Sequence, residues 1–97
     1  MNDDYIAVSM ELAAAARPCF NDVDRDFVDA QLAAGEYFFA VDDALRVAVR
    51  EHYRLPAALV AKARGWLDTP GGVPAAHRAR FAHHLDAVLT APTQRSA

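Results

Sequence analysis

Three carboxylates at alternate positions, Asp22, Asp24 and Asp26, are the first residues in this chain whose spacing suggests chemistry, because they match the first three oxygen positions of an EF-hand calcium loop. The rest of such a loop is missing. Phe27 holds the sixth place, where glycine makes the sharp turn, and Ala33 the twelfth, where a bidentate glutamate completes the coordination sphere. Four histidines invite a second metal reading: His77 and His84 are seven apart on a helix, and His83 stands three before Asp86. A zinc site needs three or four converging ligands, and neither an HExxH pattern nor a cysteine pair supplies them. His52, beside Tyr53, suits a helix C-terminus, where the dipole favours a cation. Cys19 is the sole cysteine, so no internal disulfide forms and an idle or buried thiol is expected. Ser9 and Ser96 sit in no nucleophile elbow, and Gly71-Gly72 has neither the preceding strand nor the following Lys-Ser or Lys-Thr of a phosphate loop. Asp42 and Asp43 lie within one turn of Arg46, so surface ion pairs account for them. The expectation is a protein that is not an enzyme and uses no cofactor or metal.

These side chains must be placed by helices, since alanine makes up much of the 54% hydrophobic fraction and no strand-like alternation occurs. A first helix is expected over about 4–16, capped by Asn2 or Asp3 and stopped by Pro18, with Tyr5, Ile6, Met10, Leu12, Ala13 and Ala16 facing the core. Asn21 or Asp22 caps a second, whose Val23, Phe27, Ala30 and Ala34 recur at spacings of three and four, widened by Val28 and Leu32, and Gly35 ends it. A third follows over about 36–53, presenting Phe38, Val41, Leu45, Ala48 and Val49, and forms an antiparallel hairpin with the second. Pro56 opens a fourth, over about 56–67, with Leu59, Ala63, Trp66 and Leu67 inward. The Pro/Gly-rich stretch 69–74 is a loop, and a last helix over about 75–89 offers Phe81, Leu85 and Val88. The predicted fold class is all-α, a compact bundle of four to five helices. One domain spans 1–97, with 90–97 as a frayed tail. At 97 residues, folding hides roughly 60 to 65% of the chain surface, enough for a small core.

Charge is unevenly distributed along the chain. The net charge is −3, yet residues 1–48 carry ten acidic groups against three arginines, a balance of −7, while 49–97 carry seven basic groups against three acidic, a balance of +4. Such polarity steers a charged partner if folding keeps the halves apart. Asp22, Asp26 and Asp29, spaced by four and three, fall on one helical face and serve either as a solvated surface or as a contact surface. With Glu36, they place several carboxylates near the turn between the second and third helices. Lys62, Arg64, Arg78 and Arg80 form a candidate basic patch, but the loop at 69–74 is unlike the tight turn of a helix-turn-helix, and a pI near 5.7 is poor for gripping phosphates. Nucleic acid is therefore a disfavoured partner. No purely apolar run exceeds five residues, far below the roughly 20 that cross a bilayer, and the Met1-Asn2-Asp3-Asp4 start lacks signal-peptide features. No membrane partner and a cytoplasmic location are expected.

The segment 26–45, with its Ala34-Gly35-Glu36-Tyr37 turn followed by Ala40, Ala44 and Leu45, resembles the central hairpin of small helical bacterial immunity proteins of the MafI-like and contact-dependent growth inhibition groups. The likeness extends loosely over 5–89. It implies a protein that binds and neutralises a cognate toxin domain, frequently a nuclease, by stoichiometric complex formation. Nucleases present basic clefts, so the implied contact residues are Asp22, Asp26, Asp29, Glu36, Asp42 and Asp43, with Tyr37 either an aromatic anchor or a packing residue. The alternative is a small helical regulatory or nucleic-acid-binding module that uses the basic second half.

Overall fold

The computed structural model describes residues 3–92 and shows an all-α protein of five helices. They are α1 (Asp3–Ala16), α2 (Asp22–Ala33), α3 (Tyr37–Arg50), α4 (Ala57–Gly65) and α5 (Arg78–Ala87). Short 3-10 turns at Arg17–Cys19, Trp66–Asp68 and Ala75–His77 join or extend them. The expected fourth and fifth helices thus each divide into an α segment and a tighter turn. Of the two expected caps for α1, Asn2 lies outside the described residues and Asp3 is the first helical residue.

α3 is the central element, packed by α1, α2 and α5. Its Phe38, Ala40, Val41, Ala44, Leu45, Val47 and Ala48 are all buried, which its broad apolar stripe anticipates. Alanines at 40, 44 and 48 let neighbouring helices approach closely. Leu12 of α1, Leu55, Phe81 and Leu85 of α5, and Val60 and Ala63 of α4 complete the main core. A chain of rings runs through it: Tyr5 stacks on Trp66 at 4.2 Å, Trp66 on Phe81 at 6.1 Å, and Phe81 meets Phe38 at 5.1 Å.

The helix ends follow capping chemistry. Asn21 accepts from the Asp24 N–H at 2.8 Å while the Asp24 carboxylate accepts from the Asn21 N–H at 3.3 Å, a reciprocal box that fixes the start of α2. α2 stops at Gly35, whose φ of +75° lets the Glu36 N–H reach the Gln31 carbonyl (2.9 Å) and its own N–H reach that of Leu32 (3.1 Å). α3 ends three residues before the expected Tyr53 by the same device, with His52 in the left-handed position (φ +53°) and the Tyr53 N–H bonded to Ala48 at 2.9 Å.

Two departures from expectation concern the C-terminal half. Leu55–Pro56 (β1) and Thr90–Ala91 (β2) form a two-residue parallel pair, and the Leu55 N–H bonds the Leu89 carbonyl at 3.0 Å. Thr90 and Ala91 are therefore held, while residues 93–97 of the expected tail lie outside the described residues. The loop at 69–74 also enters the core. Val73 is buried, and a Cβ added to Gly72 would meet the Trp66 carbonyl oxygen at 2.4 Å.

The largest correction is the rotation of α2. Val23, Phe27, Ala30 and Ala34, the expected core stripe, are exposed, Val23 by 77% and Phe27 by 53%. Val28 takes the core position at 1% exposure, between Ala13 of α1 and Ala40 of α3, with Leu32 half-buried beside it. Small side chains at 13 and 40 leave room for one branched residue, whereas Phe27 is much larger. Two ion pairs fix the same rotation: Asp24 to Arg50 at 2.7 Å and Asp29 to Arg17 at 2.6 Å. In α1, likewise, Met10 is exposed and Val8 and Ser9 are buried, the Ser9 hydroxyl donating to the Tyr5 carbonyl at 2.8 Å.

Candidate functional site

The rotation of α2 places two kinds of side chain on its outer surface. At 3.6 residues per turn, Val23, Phe27, Ala30 and Ala34 fall within an arc of about 60°, and Asp22, Asp26 and Asp29 within a similar arc on the adjoining flank. The result is an apolar ridge with an acidic side. The ridge is about 16 Å long from Val23 to Ala34 at 1.5 Å per residue. Its first half is bulky and its second half is alanine, which permits close approach.

The carboxylates expected to act together divide by environment. Asp22 keeps 90% of its side chain in solvent and Asp26 76%, each touching only the exposed Arg25, at 3.2 and 3.5 Å. Such pairs are heavily screened and leave both charges available. Asp29 instead makes a two-pronged contact with Arg17, at 2.6 and 3.1 Å. That guanidinium holds the Asp29 carboxyl below its ordinary range, and Arg17 is raised in turn. Asp43 is half-buried and bonded to Arg46 at 3.3 Å. Glu36 is exposed at the N-cap of α3, and its side chain makes no capping bond. Tyr37 is half-buried.

Asp42, expected at the surface, is instead turned inward. It is 5% exposed, and both its oxygens are used internally: Oδ2 accepts from Arg80 Nε at 2.8 Å, and Oδ1 faces His84 Nδ1 at 2.8 Å. Its expected partner, Arg46, pairs with Asp43 instead. Both positions lie within a turn of Arg46, and it is the engagement of Asp42 by Arg80 and His84 that leaves the arginine to Asp43. The opposing halves of the chain therefore interleave. Arg50 neutralises Asp24, and Arg80 neutralises Asp42, with the His84 ring bonded to its other oxygen. Among the described candidates, Asp22, Asp26 and Glu36 remain as exposed charge, fewer than the sequence suggests.

The same geometry places the candidate metal ligands. Asp24 turns inward to Asn21 and Arg50, so Asp22, Asp24 and Asp26 do not converge, and the Arg50 hydrogen bond holds the Asp24 carboxyl below its usual value. His77 lies against Phe38 and Phe39, while His84 is committed to Asp42. Among the described residues, no group of three or more His, Cys, Asp or Glu side chains is placed to hold a metal ion. Cys19 is half-buried, and desolvation pushes its thiol up, away from the reactive thiolate. Among the described residues, no helix is long and apolar enough to cross a membrane.

Fold and surface together define a small all-α bundle with an exposed apolar ridge and an acidic flank on one peripheral helix. No protein-family model, curated protein or solved structure matches the chain.

Proposed function

We propose that this is an immunity protein that acts in the cytoplasm of the producing cell, binding a cognate bacterial toxin domain and neutralising it in a stoichiometric complex. The toxin suggested by the surface charge is a basic domain such as a nuclease. The observation that carries the reading is the outer surface of α2, where Val23 and Phe27 stand exposed beside Asp22 and Asp26. Large apolar side chains in solvent, rimmed by charge, are the usual composition of a protein-binding patch. Glu36 extends the acidic rim to the turn that carries the resemblance to small helical immunity proteins. Carboxylates on such a rim accelerate encounter with a cationic partner, and buried apolar contacts then hold it. Asp29 and Asp43 contribute less free charge because Arg17 and Arg46 engage them, and Asp42 contributes by holding α3 to α5.

The test is titration of the purified protein into the toxin domain encoded immediately upstream of its gene. The expected result is loss of toxin activity that is complete at a fixed molar ratio, with a complex isolable by size-exclusion chromatography. Absence of both binding and inhibition overturns the reading. Protection at far below one equivalent does so too, because it would require turnover.

A further inference from the structure

We infer that the α2 ridge is a docking track for an amphipathic basic helix of the partner, with Val23 and Phe27 as its anchors. This rests on the reading that the protein works by binding another protein, and it names the chemistry of the surface that is bound. Three observations converge. The ridge follows helical spacing from Val23 to the C-cap Ala34, about 16 Å, which matches the side of another helix better than a loop or a strand edge. Ala30 and Ala34, both exposed, leave a shallow floor beyond Phe27 where a second helix can come close. The adjoining flank carries Asp22 and Asp26, with 90% and 76% of their side chains in solvent, so the complementary helix carries lysine or arginine beside its apolar stripe.

Charge also argues against a second copy of this chain. An antiparallel pairing would seat Val23 and Phe27 of one copy against Ala34 and Ala30 of the other, a fitting match of sizes. The two-fold operation would also bring the same Asp-lined flank of each copy to the same side, where like charges gather. A cationic helix meets the same apolar surface without that repulsion.

The probe is a synthetic helical peptide of about 16 residues, leucine at spacings of three and four and lysine on the flanks, with a twin in which every lysine is glutamate. Binding is followed by two-dimensional amide NMR of the full chain. The lysine peptide is expected to shift resonances within 22–36, to bind at least about tenfold more tightly than its twin, and to weaken as salt rises. Val23→Ser, and Val23→Ser with Phe27→Ser, are expected to weaken it about tenfold or more while far-UV circular dichroism stays unchanged. Shifts centred elsewhere, equal affinity for the two peptides, no binding at millimolar peptide, or concentration-dependent self-association through α2 would each overturn the inference. A toxin complex that forms normally with the double variant would overturn it as well, yet leave the toxin reading standing. Failure of the wild-type chain to bind the toxin would sink that reading alone, since the peptide result is independent of it.

Discussion

Replacing Val28 by alanine and, in a separate variant, Val23 by alanine applies one chemical change to two faces of α2. Val28 is 1% exposed between Ala13 and Ala40, whereas Val23 is 77% exposed. Each substitution removes two methyl groups. At the buried site this forfeits about 1.6 kcal/mol of transfer free energy, and the residual cavity raises the cost to about 2 kcal/mol. At the exposed site little burial is lost. The gain in helix propensity from valine to alanine, a few tenths of a kcal/mol, applies to both and cancels in the comparison. The expected difference is therefore about 2 kcal/mol, which for a chain of this size separates the two melting temperatures by roughly 8 to 16 °C. Urea unfolding followed through Trp66 is the assay, because this single tryptophan is buried in the ring stack with Tyr5 and Phe81. Equal losses, or a larger loss from Val23→Ala, would refute the assigned rotation of α2 and show the proposed docking surface to be core.

Gly72→Ala is expected to cost more than about 2 kcal/mol, since its Cβ would sit 2.4 Å from the Trp66 carbonyl oxygen, while Gly65→Ala, with open space around it, stays neutral or gains; thermal melts of both check this. His52→Gly relieves a left-handed backbone at an exposed position and is expected to stabilise by about 1 kcal/mol; a loss of stability would show that the histidine side chain contributes there. Asp24 and Asp29 are held below their ordinary range by Arg50 and Arg17, so their stabilising effect is fully present above the unfolded-state value of about 3.9 and is lost as pH falls through the lower folded values. Stability should accordingly fall most steeply below about pH 4, and less steeply in Asp24→Asn, as read by urea midpoints across the acid range. Asp42→Asn replaces an acceptor by a donor facing Arg80 or His84 and is expected to cost about 1 to 3 kcal/mol, with toxin or peptide affinity of the folded protein unchanged by calorimetry.

What could be read from the sequence, and what could not, depended on where the deciding partner lay. The Gly35 stop and the start of α2 near Asn21 depend on residues within one turn, so local spacing suffices. The burial of Phe38, Val41, Leu45 and Ala48 was legible because α3 is enclosed on several sides and needs a wide apolar stripe. α2 offers apolar residues on two faces, and its periodicity favours the more numerous set. The outcome was instead decided by Ala13, Ala40, Arg17 and Arg50, which lie outside the helix. The inward turn of Asp24 had one local signal, the three-residue step from Asn21 that marks a capping box. Asp42 had none, because Arg80 and His84 lie 38 and 42 residues further along the chain.

The same distinction explains why the exposed site is built on α2. α3 spends its apolar and acidic side chains on α1, α2 and α5, including a carboxylate that could otherwise have served as surface charge. α2 is anchored chiefly by α3, through Val28, Leu32 and the Asp24 pair, and needs little more than one stripe to be held. Apart from Asp29, which pairs with Arg17, its outer circumference is free to carry side chains that the packing does not use. Four apolar residues at helical spacing, kept in solvent when polar ones would be more soluble there, carry a cost in aggregation risk that folding does not require. Burial of that stripe by the proposed partner helix would remove the cost. In the complex proposed above, the carboxylates alongside it would act before contact, on the rate of encounter, and Val23 and Phe27 after it, on the lifetime of the complex.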